Sequence, residues 1–331
     1  MQLTTPVKID NNGISISHKS RILLIGSCFA VNIGNRLLER AFDVEMNPFG
    51  VLYNPMSIAT ALDRIADGMP FTGNSPEIFE YNGMWHSIMH HSDFSHPRKE
   101  VAIEKMNDSL RKAYEKSCSY DIVFITLGTA YAYILKQSNS IAGNCHKLPG
   151  NEFDRRLLSI EEIAGTLEKT LERYLTANPK TIFIFTVSPI RHLRDGAHDN
   201  QKSKATLLLA VDKLMESHPG NTSYFPAYEI MLDELRDYRF YADDMTHPSA
   251  KAIEYIWEAF SGCYFSKETY GINSRMEEIS RGLGHRPFNA ESETYRQFLH
   301  GLMQKIEELK KEHPYLNLEK ETTQCTTLLN R

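Results

Sequence analysis

Apolar residues along this chain fall into two alternating patterns. Short runs apolar on both faces occur at Arg21-Ile22-Leu23-Leu24-Ile25, Ile122-Val123-Phe124-Ile125-Thr126-Leu127 and Thr181-Ile182-Phe183-Ile184-Phe185-Thr186-Val187. Strands buried inside a parallel sheet read this way. A weaker strand signal covers residues 42–46. Between these runs the apolar positions take helical spacing. Val31, Ile33, Leu37, Leu38 and Ala41 follow the first strand, and Asn54-Pro55 opens a helix through Ile58, Ala59, Leu62 and Ile65. Further helices are expected over residues 99–117, 160–177, 205–215 and 249–260, the second of these with Ser159 and Glu162 at capping-box spacing. Strand and helix in alternation predict a three-layer α/β/α sandwich around a parallel sheet.

Two features interrupt the alternation. Residues 78–90 alternate around Asn82-Gly83, the signature of a hairpin inserted into the α/β core. After about residue 273 strands cease, and residues 276–283 and 295–309 read as amphipathic helices. The expected division is therefore an α/β domain over residues 1–266 and a C-terminal helical extension over 267–331, its last stretch (320–331) polar and frayed. Tyr295, Phe298, Leu299, Leu302, Ile306 and Leu309 form an apolar stripe that needs burial. The turn at Arg286-Pro287-Phe288 favours docking of that stripe on the chain's own α/β core rather than on a second subunit.

The 331 residues are 41% hydrophobic and 24% charged, as in globular proteins, and the formal net charge of −5 offers no field for gathering phosphate backbones. Nucleic acid is not an expected partner. No run reaches the roughly 18 to 20 apolar residues of a membrane span, and the first residues lack the apolar core of a signal peptide, so a cytoplasmic protein with no membrane partner is expected. Five scattered cysteines without a C-x-x-C pair read as reduced thiols.

Ligands of open parallel sheets bind beyond the carboxyl ends of the strands, which directs attention to Gly26-Ser27-Cys28, Gly128-Thr129 and Ser188-Pro189. A nucleophile on the first of these turns gains from the positive end of the following helix. Far along the chain, Asp244-Met245-Thr246-His247-Pro248-Ser249 places a carboxylate three residues before a histidine, so that Asp244 can orient His247 as a base. The two segments together resemble the SGNH (GDSL-like) hydrolase superfamily. They are closer still to the GSCFA family, whose name is spelled by Gly26-Ser27-Cys28-Phe29-Ala30. Residues 47–55, Leu127-Gly128-Thr129-Ala130, Asn144-Cys145-His146-Lys147, residues 186–192 and residues 241–249 extend the likeness, which spans roughly residues 20–265. The resemblance implies a flavodoxin-like sheet and a nucleophile-histidine-acid site.

Aligned without a gap on the superfamily's Gly-Asp-Ser, the turn puts Cys28 at the nucleophile position, and a shift of one residue restores Ser27. The superfamily's oxyanion donors are the nucleophile N–H, a glycine, for which Gly50 stands, and an asparagine after the third strand. That asparagine is absent from Gly128-Thr129-Ala130, leaving Thr129 or Asn144 as substitutes. Arg191, with His192, Arg194 and Lys202, can hold an anionic group. The segment Trp85-His86-Ser87-Ile88-Met89-His90-His91 is dense in histidine, and His86 and His90 can line a substrate cleft or, with Asp93 or His96, bind a metal. The expected function is hydrolysis or transfer of an acyl ester of a carbohydrate or small molecule, with Cys28 or Ser27 as nucleophile, His247 as base, Asp244 as its acid and no cofactor. The alternatives are a metal-assisted hydrolase built on the hairpin and a non-catalytic carbohydrate- or partner-binding domain.

Overall fold

The computed structural model describes residues 5–330. The first apolar run forms strand β1 (Arg21–Gly26), followed by helix α1 (Cys28–Leu38) and strand β2 (Asp43–Met46). Helix α2 (Pro55–Asp67) starts where expected, with the Asn54 side chain accepting the Ser57 N–H and Gly68 closing it in a left-handed conformation. The hairpin of β3 (Ile78–Tyr81) and β4 (Met84–Ser87) turns on Asn82 and Gly83, both at positive φ. Helix α3 (Lys99–Glu115) leads to β5 (Ile122–Leu127).

Three strands without a strong sequence signal come next: β6 (Tyr131–Leu135), β7 (Ser140–Ile141) and β8 (Phe153–Leu157), an antiparallel sheet in the order β7-β6-β8. Helix α4 (Ile160–Ala177) carries the complete capping box of Ser159 and Glu162. Strand β9 (Ile182–Val187), helix α5 (Gly196–Ser217), strand β10 (Thr222–Tyr224) and the single turn α6 (Ala227–Glu229) follow. A π-helical turn at Ile230–Leu235 then leads towards α7 (Ala250–Tyr264), α8 (Lys267–Leu283), α9 (Glu293–Glu312) and α10 (Glu319–Leu329).

The main sheet has the order β10-β9-β5-β1-β2, with β1, β5, β9 and β10 paired in parallel. Counting only its own strands this is the order 2-1-3-4-5, one of the common doubly wound arrangements. Helices cover both faces. Leu23, Ile25, Val123, Ile125, Phe183 and Phe185 share one core with Ile58 and Leu62 of α2, Leu167 of α4 and Leu207 of α5. The alternate residue Phe124 meets Phe260 of α7 edge-on, with ring centroids 5.7 Å apart. Each such side chain, removed from water, stabilises the fold by about 1.5–3 kcal/mol.

The chain forms two compact units. One comprises the described residues up to 12 together with 22–33 and 45–263, and the other 13–21, 34–44 and 264 onward. In the second, much of the apolar stripe of α9 is buried within that same unit. Leu302, Ile306 and Leu309 close a separate core with Ile272, Met276, Ile279 and Leu283 of α8 and Cys325 of α10, while Phe298 stays exposed. The segment expected to fray is helix α10 instead, because Cys325 gives an otherwise polar helix a buried anchor. Among the described residues, no helix is long and apolar enough to cross a membrane.

Candidate active site

The turn after β1 can be made only by glycine. Gly26 has φ +136°, and a Cβ there would lie 2.1 Å from the Thr126 carbonyl oxygen. Asn47 braces it, its Oδ1 accepting the Gly26 N–H at 2.8 Å, while the Leu52 N–H donates to the Gly26 carbonyl at 2.9 Å. The residues 47–55 that resemble the family are thus the support of the turn. Ser27 is buried, and its Oγ accepts the Phe29 N–H at 3.3 Å. Cys28 is the first residue of α1, half-buried, with Sγ 3.6 Å from the Tyr53 hydroxyl. Its own N–H belongs to the helix end that no intrahelical carbonyl can reach.

His247 reaches the same place from a tight loop. The Ala242 N–H donates to the His247 carbonyl and the Ser249 N–H to the Phe240 carbonyl, while Met245 at the tip takes a left-handed φ of 55°. Asp244 Oδ2 lies 2.6 Å from His247 Nδ1, and Oδ1 accepts the backbone N–H groups of His247 and Thr246, both at 2.9 Å. These bonds, the His247 N–H first, hold the Asp244 carboxyl down to about 2. The pairing makes Nδ1 the donor to Asp244 and leaves Nε2 as the free nitrogen. Arg191 pins the loop, its N–H donating to the Thr246 carbonyl and its guanidinium to that of Met245, both at 3.2 Å.

Ser27, Cys28, Tyr53, Thr129, Asn144, Arg191, His192 and His247 line one cleft of about 410 Å³. It lies past the carboxyl ends of β1 and β5, at the switch point where doubly wound sheets hold ligands. Cys28 and His247, more than 200 residues apart in sequence, therefore line the same cleft.

The oxyanion candidates sort differently. Gly50 does not line the cleft: its N–H donates to the Asn47 carbonyl at 2.7 Å, and its Cα packs against His91. The N–H groups of Gly128 and Thr129 both donate to the Tyr53 carbonyl, at 2.8 and 3.0 Å. The Thr129 hydroxyl accepts the Tyr131 N–H at 3.1 Å and contacts Ser203 Oγ at 3.0 Å. Asn144 is better placed, since its Oδ1 accepts the His146 N–H at 2.8 Å, which fixes the amide and leaves its NH2 as donor. Tyr53, not singled out from the sequence, is a second donor. Burial first, then its bond to Cys28, raises the phenol so that it keeps its proton.

The hairpin histidines lie elsewhere. His86 and His90 are buried outside the cleft, contrary to their expected role in substrate or metal binding. His86 Nδ1 bonds Ser95 Oγ at 2.7 Å and Nε2 the Tyr81 carbonyl at 3.2 Å. His90 bonds Ser87 Oγ at 2.9 Å and stacks on Phe49 with centroids 4.4 Å apart. Burial, with His146 and Arg64 nearby, pushes His90 down to about 3. These imidazoles are polar core, with nitrogens turned to the protein. Among the described residues the one grouping of metal-type side chains within reach of one another is Glu168, Glu172 and His218, far from the hairpin in sequence.

Lys204 and Cys145 were assigned no role from the sequence, and His192, read there only with Arg191, Arg194 and Lys202 as a holder of an anion, also lines the cleft. Lys204 is fully buried, and its Nζ donates to the Gly128 and Ser188 carbonyls at 2.7 and 2.8 Å, tying together the ends of β5 and β9. Burial lowers it to about 7. His192 stands edge-on to Tyr53 and is lowered to about 4, by burial and then by Lys204. Cys145 also lines the cleft, but burial raises its thiol to about 11, which makes it a poor nucleophile near neutrality. The signal for Lys204 was present: a lysine three positions before Leu207, on the apolar face of α5.

A search of curated proteins finds no match. The model of the GSCFA family matches residues 21–260, and that of the GSCFA domain protein C-terminal domain matches residues 276–331. The turn at Cys28, the loop at His247 and the cleft they share all lie within the first match, and the chain belongs to the GSCFA family.

Proposed function

We propose that this protein is a thiol-dependent acyl-ester hydrolase or acyltransferase of the SGNH type, acting on an ester of a carbohydrate or small molecule. The observation that carries the reading is Cys28 at the head of α1, sharing a cleft with a histidine whose Nδ1 is held by a carboxylate at 2.6 Å. The 2-1-3-4-5 strand order and the position of Asp244-x-x-His247 ahead of the last helix of the sheet support the superfamily placement. The five cysteines are free thiols, which suits a reducing compartment such as the cytoplasm.

In this mechanism the Cys28 Sγ attacks the ester carbonyl carbon as its proton passes to His247 Nε2. The oxyanion takes hydrogen bonds from the Cys28 N–H, the Asn144 amide and the Tyr53 hydroxyl. Collapse expels the alcohol, which receives the proton from His247, and leaves an acyl-thioester. Water or an acceptor alcohol then attacks that thioester, giving its proton to His247, and the thiol re-forms with release of acid or new ester. Cys28 is preferred to Ser27 because the Ser27 hydroxyl is buried and caps the first turn of the helix.

The test is hydrolysis of p-nitrophenyl acetate by the purified protein, with mass-spectrometric mapping of iodoacetamide labelling. Cys28→Ala is expected to abolish turnover and Ser27→Ala to retain most of it. Activity surviving in Cys28→Ala and lost in Ser27→Ala transfers the role to the serine; no acyl-thioester and no hydrolysis of a panel of simple esters removes the reading.

A further inference from the structure

The cleft carries a charge opposite to that of the chain. Its lining includes Arg155, Arg191 and Arg194 against the single carboxylate of Asp195, in a protein of formal net charge −5. Arg155 is committed: it pairs with Asp195 and lies over the Tyr131 ring at 3.8 Å. The other two are not. Arg191 stands over the rings of Tyr241 and Tyr238 at 5.1 and 5.9 Å, and its guanidinium donates to the Met245 carbonyl and bonds the Tyr241 side chain. Among the described residues neither Arg191 nor Arg194 has a carboxylate partner. Of the acids on the neighbouring loops, Asp244 pairs with His247, Asp237 with Arg239 and Asp233 with Arg236. Arg194 acts on the Cys145 thiol at the cleft wall, so its charge is felt inside.

From this we infer that the ester substrate bears an anionic group, a carboxylate or a phosphate, held by Arg191 and Arg194 beside the reacting carbonyl. The inference rests on the proposed function for the word substrate, and on the structure alone for the anion site. A guanidinium presents paired N–H groups that match both oxyanions, and an unpaired one in a cleft has that capacity free. Arg191 also holds the carbonyl of Met245, two residues before His247. Anion binding there therefore bears on the loop that presents the base.

The experiment reads the anion site without relying on turnover. Cys28 is alkylated with neutral iodoacetamide at low ionic strength, with exposed Cys118 as internal reference. Succinate and inorganic phosphate, tested separately at millimolar concentration, are expected to slow Cys28 labelling severalfold, whereas sodium chloride at matched ionic strength does not. Arg194→Gln, which removes no carboxylate pair among the described residues, is expected to lose most of that protection, and Arg191→Gln Arg194→Gln all of it. The two probes distinguish carboxylate from phosphate. Protection equal in wild type and both variants, or absent with both probes, overturns the inference. In parallel, kcat/KM is compared for p-nitrophenyl acetate and p-nitrophenyl hemisuccinate. Protection without ester turnover keeps the anion site and removes the hydrolase reading; turnover with no preference for the hemisuccinate and no protection does the reverse.

Discussion

Two regions of this protein gather histidines, and they use them in opposite ways. Around the hairpin, His86, His90 and His146 are buried, in ring contact with aromatic residues or one another, and hydrogen-bonded to serine and main-chain oxygens. Burial drives His90 to about 3 and His146 to about 4, so both stay neutral at any ordinary pH. At the cleft, His247 faces solvent and has a carboxylate as its partner. The buried hairpin imidazoles thus serve packing, whereas the proposed base is a histidine that combines a carboxylate partner with a place on the cleft. What decides is the partner of each ring nitrogen.

The sharpest way to break this contrast is to exchange losses between the regions. His247→Ala should lower ester turnover by roughly 10³-fold or more while changing stability by no more than about 0.5 kcal/mol, as checked by steady-state kinetics and denaturant unfolding. His90→Ala should do the opposite. It removes a fully buried ring stacked on Phe49, and a cost of about 3 kcal/mol is expected, with activity per folded molecule retained. If His90→Ala keeps its stability and loses turnover, the hairpin is part of the site after all.

Asn144 joins the two regions, accepting the His146 N–H from one and lining the cleft of the other. Asn144→Ala should reduce kcat about 10²-fold, the usual loss for one oxyanion donor, with little change in KM. An effect confined to unfolding midpoints would assign the residue to the hairpin alone.

The smallest effect concerns pH. The folded-state value of His90 is depressed below the ordinary 6.5, so the unfolded chain binds more protons below that pH. Stability from this group is present above about pH 6.5 and is lost as pH falls towards about 3. Replacing His90 by Phe removes one such titration, and between pH 6 and 4 the slope of unfolding free energy against pH should flatten by about 1.4 kcal/mol per unit. An unchanged slope would mean that the imidazole is already charged in the folded protein.

The parts of the fold that could be read in the sequence are those whose local pattern and tertiary role agree. β1, β5 and β9 are apolar on both faces because both faces are covered, and α2 and α4 announce themselves by their caps. Strand β8 reads Phe153-Asp154-Arg155-Arg156-Leu157, three charged residues between two apolar ones, and its pairing with β6 is the only thing that makes it a strand. Helix α10 was obscured in the same way, since its burial rests chiefly on Cys325. Within the site, Asp244 and His247 were legible because three residues of sequence contain their whole interaction. Gly50 misled because its N–H closes a tight turn on the Asn47 carbonyl and the residue stays outside the cleft. Tyr53 was not singled out from the sequence, since the cleft that unites it with Cys28 and His247 is assembled from separate segments of the chain.

The second unit sets a problem of timing. Ile16 bridges Phe265, Phe42 stacks between His18 and Phe265, and Arg40 pairs with Glu277, so residues from near the start of the chain find their partners only near its end. At synthesis rates of roughly 5–20 residues per second, the stretch between residues 44 and 264 takes on the order of 10 to 45 seconds to emerge. For that interval Ile16 and Phe42 lack the contacts that will bury them, and α1, which runs from Cys28 in one unit to Leu38 in the other, is anchored at its first end only. The nascent chain therefore carries the turn at Cys28 long before the C-terminal helices that complete the second unit have been made.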